Sequence, residues 1–352
     1  MANTPIVKGR GAASNPSGRF ERLAFVPDEG DEDEDRGRAR PTELYRDTSK
    51  TILAFNDSPD VPMEASVNPY RGCEHGCIYC YARPYHEYLG LSAGTDFETR
   101  IFVKENAAAL LREALSAKSW KPQVIGLSGV TDPYQPVERT LRITRACLEV
   151  LGEFRNPVAV ITKNHLVTRD IDLLAPMAEH EAAAVFLSIT TLDDELARTM
   201  EPRASRPGLR LDAIRKLRAA GIPVGVMVAP IIPALTDHEV PAILAAAAEA
   251  GAMTAGRTVV RLPHGVKELF AEWLDAHAPL RKEKVLGRLR DIRDGKLNDS
   301  TFGSRMTGEG PFAESIHQMF ELHRRRLGLT QHVPLSTKAF RRAGGSQLDL
   351  FG

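Results

Sequence analysis

The chain has little cysteine, four residues in 352. Three of them, Cys73, Cys77 and Cys80, fall within eight positions, so Cys147 is the only other thiol and a disulfide framework is excluded. Long apolar runs are missing as well. The longest, such as 224–232, falls far short of the ~20 residues that a membrane-spanning helix needs. The start, Met-Ala-Asn-Thr-Pro, has no apolar leader, so the expectation is a cytoplasmic protein with no membrane partner. There is no excess of charge either: 46 Lys and Arg stand against 46 Asp and Glu. Charge is therefore informative only through where it lies.

What is present is concentrated in Cys73-Glu74-His75-Gly76-Cys77-Ile78-Tyr79-Cys80. Three thiolates at short, fixed spacing suit three corners of a cubane [4Fe–4S] cluster. With no fourth thiol nearby, one iron is left open to a small molecule, which points to chemistry rather than plain electron transfer. The alternative is a structural zinc loop completed by His75, His86 or another residue, but zinc sites usually carry a second ligand pair, and none is seen here.

Residues 1–45 are rich in Gly, Pro, Asn, Arg and acid, including an acidic run at 28–35, and predict a disordered arm. From 46 to 278 short apolar runs at 65–67, 124–127, 158–161, 184–187, 224–229 and 258–260 alternate with segments of helical period at 105–117, 140–153, 170–181, 209–220, 237–250 and 266–277. Such alternation predicts an α/β fold with a parallel sheet covered on both faces. Six units fit a (β/α)6 partial TIM barrel, although a doubly wound sheet gives the same periodicity. In a barrel, chemistry belongs at the C-terminal ends of the strands, and the cysteine loop follows the first strand directly.

The loop resembles the signature of the radical S-adenosylmethionine (SAM) superfamily, with Tyr79 as the aromatic residue before the last cysteine. The lead-in Asn68-Pro69-Tyr70-Arg71-Gly72-Cys73 and the stretch Thr131-Asp132-Pro133-Tyr134-Gln135-Pro136-Val137-Glu138 are similar to its spore photoproduct lyase and photolyase-like branch, over most of 64–265. The resemblance selects the barrel. It implies a cluster on Cys73, Cys77 and Cys80, cleavage of SAM to a 5′-deoxyadenosyl radical, and a reductant such as flavodoxin or ferredoxin. It also places Tyr79 against adenine, Thr131 of the Thr131-Asp132 pair on the SAM amino group, Lys163 and Ser188 on carboxylate and ribose, and the Ala229 backbone on adenine. Arg203 is a further candidate for an anionic group. One departure stands out: where the lyase has a hydrogen-donating cysteine, this chain has Gly129 and Val130. Cys147 reads as a small buried hydrophobe within a helix, which leaves Tyr81 or Tyr134 as candidates to relay a hydrogen atom.

Residues 279–340 predict a basic helical extension. Across 278–345 there are 14 Lys and Arg against 7 Asp and Glu, which suits a phosphate backbone as well as a solvated helix face. Arg281, Lys282, Lys284, Arg288, Arg290 and Arg293 carry much of this charge. Residues 341–352 form a flexible tail ending in Gln347-Leu348-Asp349-Leu350-Phe351, which resembles the pentapeptide that docks on the bacterial DNA sliding clamp. The composite expectation is an enzyme that acts on nucleic acid, DNA before RNA. Modification of a peptide or small metabolite, and a zinc-bound adaptor without catalysis, stand as alternatives.

Overall fold

The computed structural model describes residues 7–20 and 41–342. Its strands are β1 (Glu43–Arg46), β2 (Leu53–Phe55), β3 (Ala65–Val67), β4 (Tyr70–Arg71), β5 (Arg100–Val103), β6 (Ile125–Leu127), β7 (Val158–Thr162), β8 (Ala183–Ser188), β9 (Val224–Ile231) and β10 (Thr254–Val259). The main sheet runs β10-β9-β8-β7-β6-β3-β2. From β3 to β10 every pairing is parallel, and β2 closes one edge antiparallel. These six parallel strands with their intervening helices are the expected (β/α)6 partial barrel.

The interior strands are apolar for a physical reason. Both faces are covered, so Val158, Val160, Val185, Val224 and Val226 lie fully buried, and β-branched side chains suit such a pleat. Helices Ala107–Ser116, Ile143–Phe154 and Pro207–Ala219 lay Leu111, Leu148 and Leu217 onto this layer. Each such side chain contributes about 1.5–3 kcal/mol.

Three differences from the sequence reading have identifiable causes. The last strand begins at Thr254 rather than 258, because an edge strand need not be apolar and Thr254, Gly256 and Arg257 belong to it. A second sheet, β1-β5-β4, was not foreseen; its strands are short and β1 is exposed throughout. The arm expected to be disordered is placed over residues 7–20, where Ala12 is 1% exposed. The acidic run at 28–35 and the tail Gln347, Leu348, Leu350 and Phe351 lie outside the described residues.

The basic extension packs on the open edge of the barrel. Val259 donates to the Met306 carbonyl at 2.9 Å and Ala255 to that of Leu329 at 3.1 Å, so the free edge of β10 is partly paired. Arg305 reaches across to Asp60, in the β2–β3 loop, at 2.5 Å. Helices Lys282–Asp291 and Gly310–Arg326 bury Val285, Leu289, Ile316 and Phe320 in the core. Arg293 is a correction to the phosphate-binding reading: it is 3% exposed and donates to the Val260 carbonyl at 2.6 Å. Among the described residues no helix is long and apolar enough to cross a membrane.

Candidate active site

The three-thiol loop connects β4 to a 3-10 helix, Arg83–Leu89, at the C-terminal mouth of the barrel. Its turns are local: Gly76 donates to the Cys73 carbonyl at 3.3 Å, Cys80 to Cys77 at 3.2 Å and Arg83 to Cys80 at 3.2 Å. Gly76 has φ +65 and needs glycine. Cys73 and Cys77 are buried and Cys80 is partly so. Burial raises all three thiols above their ordinary value, reinforced at Cys73 by Asp132 and at Cys77 by Glu201. Thiolate is thus disfavoured unless a cationic centre accompanies it.

The loop is held from beneath by one fully buried pair. Arg83 and Glu98 are both unexposed and meet at 2.5 Å. Arg83 also donates to the carbonyls of Cys77 at 2.9 Å and Gly76 at 3.1 Å. Glu98 accepts the backbone N–H groups of Gly11 at 2.9 Å and Ala12 at 2.8 Å, which brings the N-terminal segment against the loop. The approach is close: a Cβ at Gly11 would lie 1.8 Å from the Gly76 carbonyl oxygen.

Above the loop, strand ends supply a second group. Lys163, after β7, donates to the Ala229 carbonyl on β9 at 2.9 Å and sits 3.5 Å from the Glu201 carboxylate. It also lies over the Tyr79 ring, 5.7 Å from the centroid. The Tyr79 hydroxyl donates to Glu201 and lies 3.1 Å from Thr190 Oγ1. Glu201 is further bound by Arg210, which is itself buried and donates to the Ser188 carbonyl at 2.9 Å. Burial alone would raise the Glu201 carboxyl, but the Arg210 guanidinium and the Lys163 ammonium hold it well below the usual carboxylate range.

Sequence reasoning named Tyr79, Lys163, Ser188 and Ala229, and the fold brings them together. It missed Thr190, Glu201 and Arg210, the polar frame of the same pocket. Thr131 lies beside the loop and donates to the Tyr70 carbonyl at 3.2 Å. Asp132 is an organiser: it accepts from Thr162 Oγ1 at 2.7 Å and the Lys163 N–H at 2.8 Å, and faces His75 Nδ1 at 3.4 Å. Burial would raise the Asp132 carboxyl, but His75 and these donors keep it below its ordinary value.

Arg203 stands apart from the Lys163 group, with its guanidinium 3.0 Å from Glu74 and 3.2 Å from Thr42. Tyr134 is fully buried, with the Arg169 guanidinium 6.0 Å from its ring centroid. Cys147 is likewise fully buried, as its helix position implied. Tyr81 is at the mouth, 45% exposed, with its hydroxyl donating to the Gly129 carbonyl at 2.5 Å.

The zinc alternative finds no support in the histidines. His75 has both ring nitrogens engaged, by Asp132 and by Asn164 at 3.1 Å, and His86 stands edge-on to Phe97 and Phe102. Among the described residues no three His, Cys, Asp or Glu side chains gather closely enough to share one metal ion. A tetrahedral zinc needs its thiolates about 2.3 Å from one centre, whereas a cubane offers each thiolate its own iron. Three thiolates can serve either, and with His75 engaged at both ring nitrogens the loop suits the second better.

Comparison with known proteins agrees with this geometry. The family model of the radical SAM superfamily matches residues 67–247. An uncharacterized protein of Mycobacterium tuberculosis (strain ATCC 25618 / H37Rv) is 36% identical over 244 residues, 68% of this chain and 71% of that protein. A protein of Pseudomonas phage M6 named radical SAM Nalpha-GlyT isomerase is 25% identical over 270 residues, 75% of this chain and 52% of its own. Among solved structures, spore photoproduct lyase complexed with dinucleoside spore photoproduct superposes with a TM-score of 0.54 at 16% identity, covering 81% of this chain and 79% of that one. At that identity the likeness speaks for the fold. The superfamily uses a [4Fe–4S] cluster and S-adenosylmethionine, for which the three-thiol loop and the pocket above it supply donors of the right kind, and this chain belongs to the radical SAM superfamily.

Proposed function

We propose that the chain is a radical SAM enzyme that acts on nucleic acid, DNA in the first place, in the manner of the photolyase-like branch. The observation that carries this reading is one juxtaposition: the thiol loop and the Lys163–Tyr79–Ala229 pocket share a barrel mouth whose rim carries Arg261 over the exposed Tyr81 ring, at 5.6 Å. A reactive centre and a cation suited to phosphate thus stand side by side. The dinucleoside bound by the lyase of similar fold supports the substrate class.

Cys73, Cys77 and Cys80 would hold the cluster, which together with bound SAM would supply hydrogen-abstracting radical chemistry. The chain's own residues do the rest. Lys163 would offer its ammonium to the SAM carboxylate, and the Ala229 carbonyl, which also accepts from Thr190 Oγ1 at 3.2 Å, would offer its remaining acceptor capacity to adenine. Tyr79 provides an apolar wall, Thr131 a hydroxyl acceptor for the amino group, and Ser188 a ribose partner. Glu201 and Asp132 fix Lys163 from either side. Tyr81 takes the place of the lyase's cysteine as hydrogen-atom relay, because Gly129 and Val130 have no thiol and Cys147 is sealed in the core. Flavodoxin or ferredoxin serves as reductant, and the tail Gln347, Leu348, Leu350 and Phe351 docks on the sliding clamp.

The test is anaerobic reconstitution with iron, sulfide, dithionite and SAM. DNA oligonucleotides should raise the release of 5′-deoxyadenosine, Cys77→Ala should abolish it, and Cys147→Ala should leave it standing. Stimulation by a peptide or metabolite in place of DNA would redirect the substrate class, and a reconstituted protein without iron would end the reading.

A further inference from the structure

The 3-10 helix that leaves the thiol loop is inside out. Arg83, His86 and Glu87 are buried, while Tyr85 and Tyr88 are 54% and 66% exposed, with Tyr81 just before them at 45%. Tyr85 and Tyr88, three residues apart, share one face of the 3-10 helix, and Tyr81 is exposed just before it, so the exposed side is the aromatic one. Phe20, 56% exposed, extends the row: its ring lies 4.9 Å from Tyr88, which lies 6.3 Å from Tyr85. Exposed aromatic rings in a contiguous row mark a surface built for contact.

Cations alternate with these rings. Arg261 covers the inner end at Tyr81, and Arg19 lies 4.9 Å from the Phe20 centroid and 5.8 Å from that of Tyr88. The two differ in a way that matters. Arg19 is paired with Glu87, whereas among the described residues Arg261 has only the Met306 sulfur as acceptor, at 3.9 Å, and its buried Nε has no partner. Burial lowers the Arg261 pKa, and neighbouring Arg305 lowers it further. Asp60 is the nearby carboxylate, but it is taken by Arg305 at 2.5 Å, so a half-buried guanidinium with no carboxylate bonded to it among the described residues favours an incoming anion.

We propose that Tyr81, Tyr85, Tyr88 and Phe20 form a stacking track for single-stranded nucleic acid, running from the barrel mouth outward, with Arg261 taking a phosphate at its inner end. This rests on the nucleic-acid reading above and names how the strand is held. Rings with free faces stack on unpaired bases, whereas a duplex keeps its bases stacked on one another. Chemistry on a base requires that base to leave its stack, so a single-stranded path ending at the mouth delivers it there. A protein partner could use the aromatic rings, but it would not need an unpaired guanidinium at the end nearest the reactive site.

Fluorescence anisotropy of a labelled single-stranded oligonucleotide, with the full-length reconstituted protein and its iron content checked in each variant, tests the track. Tyr85→Ala and Tyr88→Ala should each weaken binding about fivefold or more, as loss of a base–ring stack does. Arg261→Gln should weaken it and reduce the slope of log K against log salt by about 0.7, the value for one phosphate on a single strand. Binding should be tighter to the single strand than to its duplex. If the wild type binds the single strand and these variants bind equally well, the track is overturned while the nucleic-acid reading survives. If the wild type binds neither single strand nor duplex, the nucleic-acid reading falls and takes the track with it.

Discussion

The two faces of residues 81–89 obey opposite rules. Inward, polar groups are buried: Arg83 meets Glu98, grips the backbone of the thiol loop and shares its partner with the N-terminal segment. Outward, Tyr81, Tyr85 and Tyr88 are exposed, and the Arg261 guanidinium over Tyr81 is bonded to no carboxylate among the described residues. The charged groups of the inner face are paired within the chain, with only the His86 Nε2 left over among the described residues, and the outer face is incomplete without something else. A cofactor loop has to be held rigidly, whereas a substrate path has to be left open, and one short helix does both by turning its polar side in.

The sharpest way to break this comparison is Glu98→Ala. Arg83 would keep its charge at zero exposure with no carboxylate, and the Gly11 and Ala12 N–H groups would lose their acceptor. Breaking a buried pair by removing one partner costs about 3–5 kcal/mol. Urea denaturation of the apoprotein should show a loss of that order, and iron retention after reconstitution should fall. A loss below about 1 kcal/mol would mean that the inner face is no anchor.

The second effect is a pH dependence that belongs to the inner face alone. His86 is buried between Phe97 and Phe102, its Nε2 has no partner, and burial lowers its pKa from 6.5 to about 4. The folded state therefore prefers the neutral ring. Its contribution is complete above pH 6.5 and is lost as the pH falls from there through about 4, because the unfolded chain takes up the proton first. The full effect is on the order of 3 kcal/mol. Chemical denaturation between pH 7 and pH 4 should show it, and His86→Phe should flatten it; an unchanged slope in that variant would assign the dependence elsewhere.

How much of this was legible in the sequence depends on how far a residue's partner lies along the chain. Interior strands announce themselves because both faces need apolar side chains, and five of the six were read within a residue or two at each end. The edge strand β10 was misplaced because Arg257 can point outward there, toward Phe320. Cys73, Cys77 and Cys80 were legible because a cluster needs thiolates close together in sequence. Glu201 and Arg210 were not, because their pairing with Tyr79 and Lys163 depends on four separate strand ends and helices converging. Residues 7–20 gave no sign at all, since Gly11 and Ala12 are held by backbone N–H groups and close approach rather than by any side-chain pattern. The outward tyrosines did carry a signal, a helical repeat of aromatics around Arg, His and Glu, but only burial shows which face is inside.

The smallest expected effect is the one that tests the outer face most cleanly. Tyr88 is 66% exposed and its main ring contacts are Phe20 and Tyr85, both more than half exposed themselves. Little apolar area is removed from water there, so Tyr88→Ser should change the unfolding free energy by about 0.5 kcal/mol or less, as surface substitutions usually do. The same change should weaken oligonucleotide binding severalfold, and that dissociation of stability from binding is what an open contact surface requires. A stability loss of about 2 kcal/mol would instead mean that Tyr88 pins Phe20 and the N-terminal segment in place. The outer face would then belong with the inner one, as part of the anchor that holds the thiol loop.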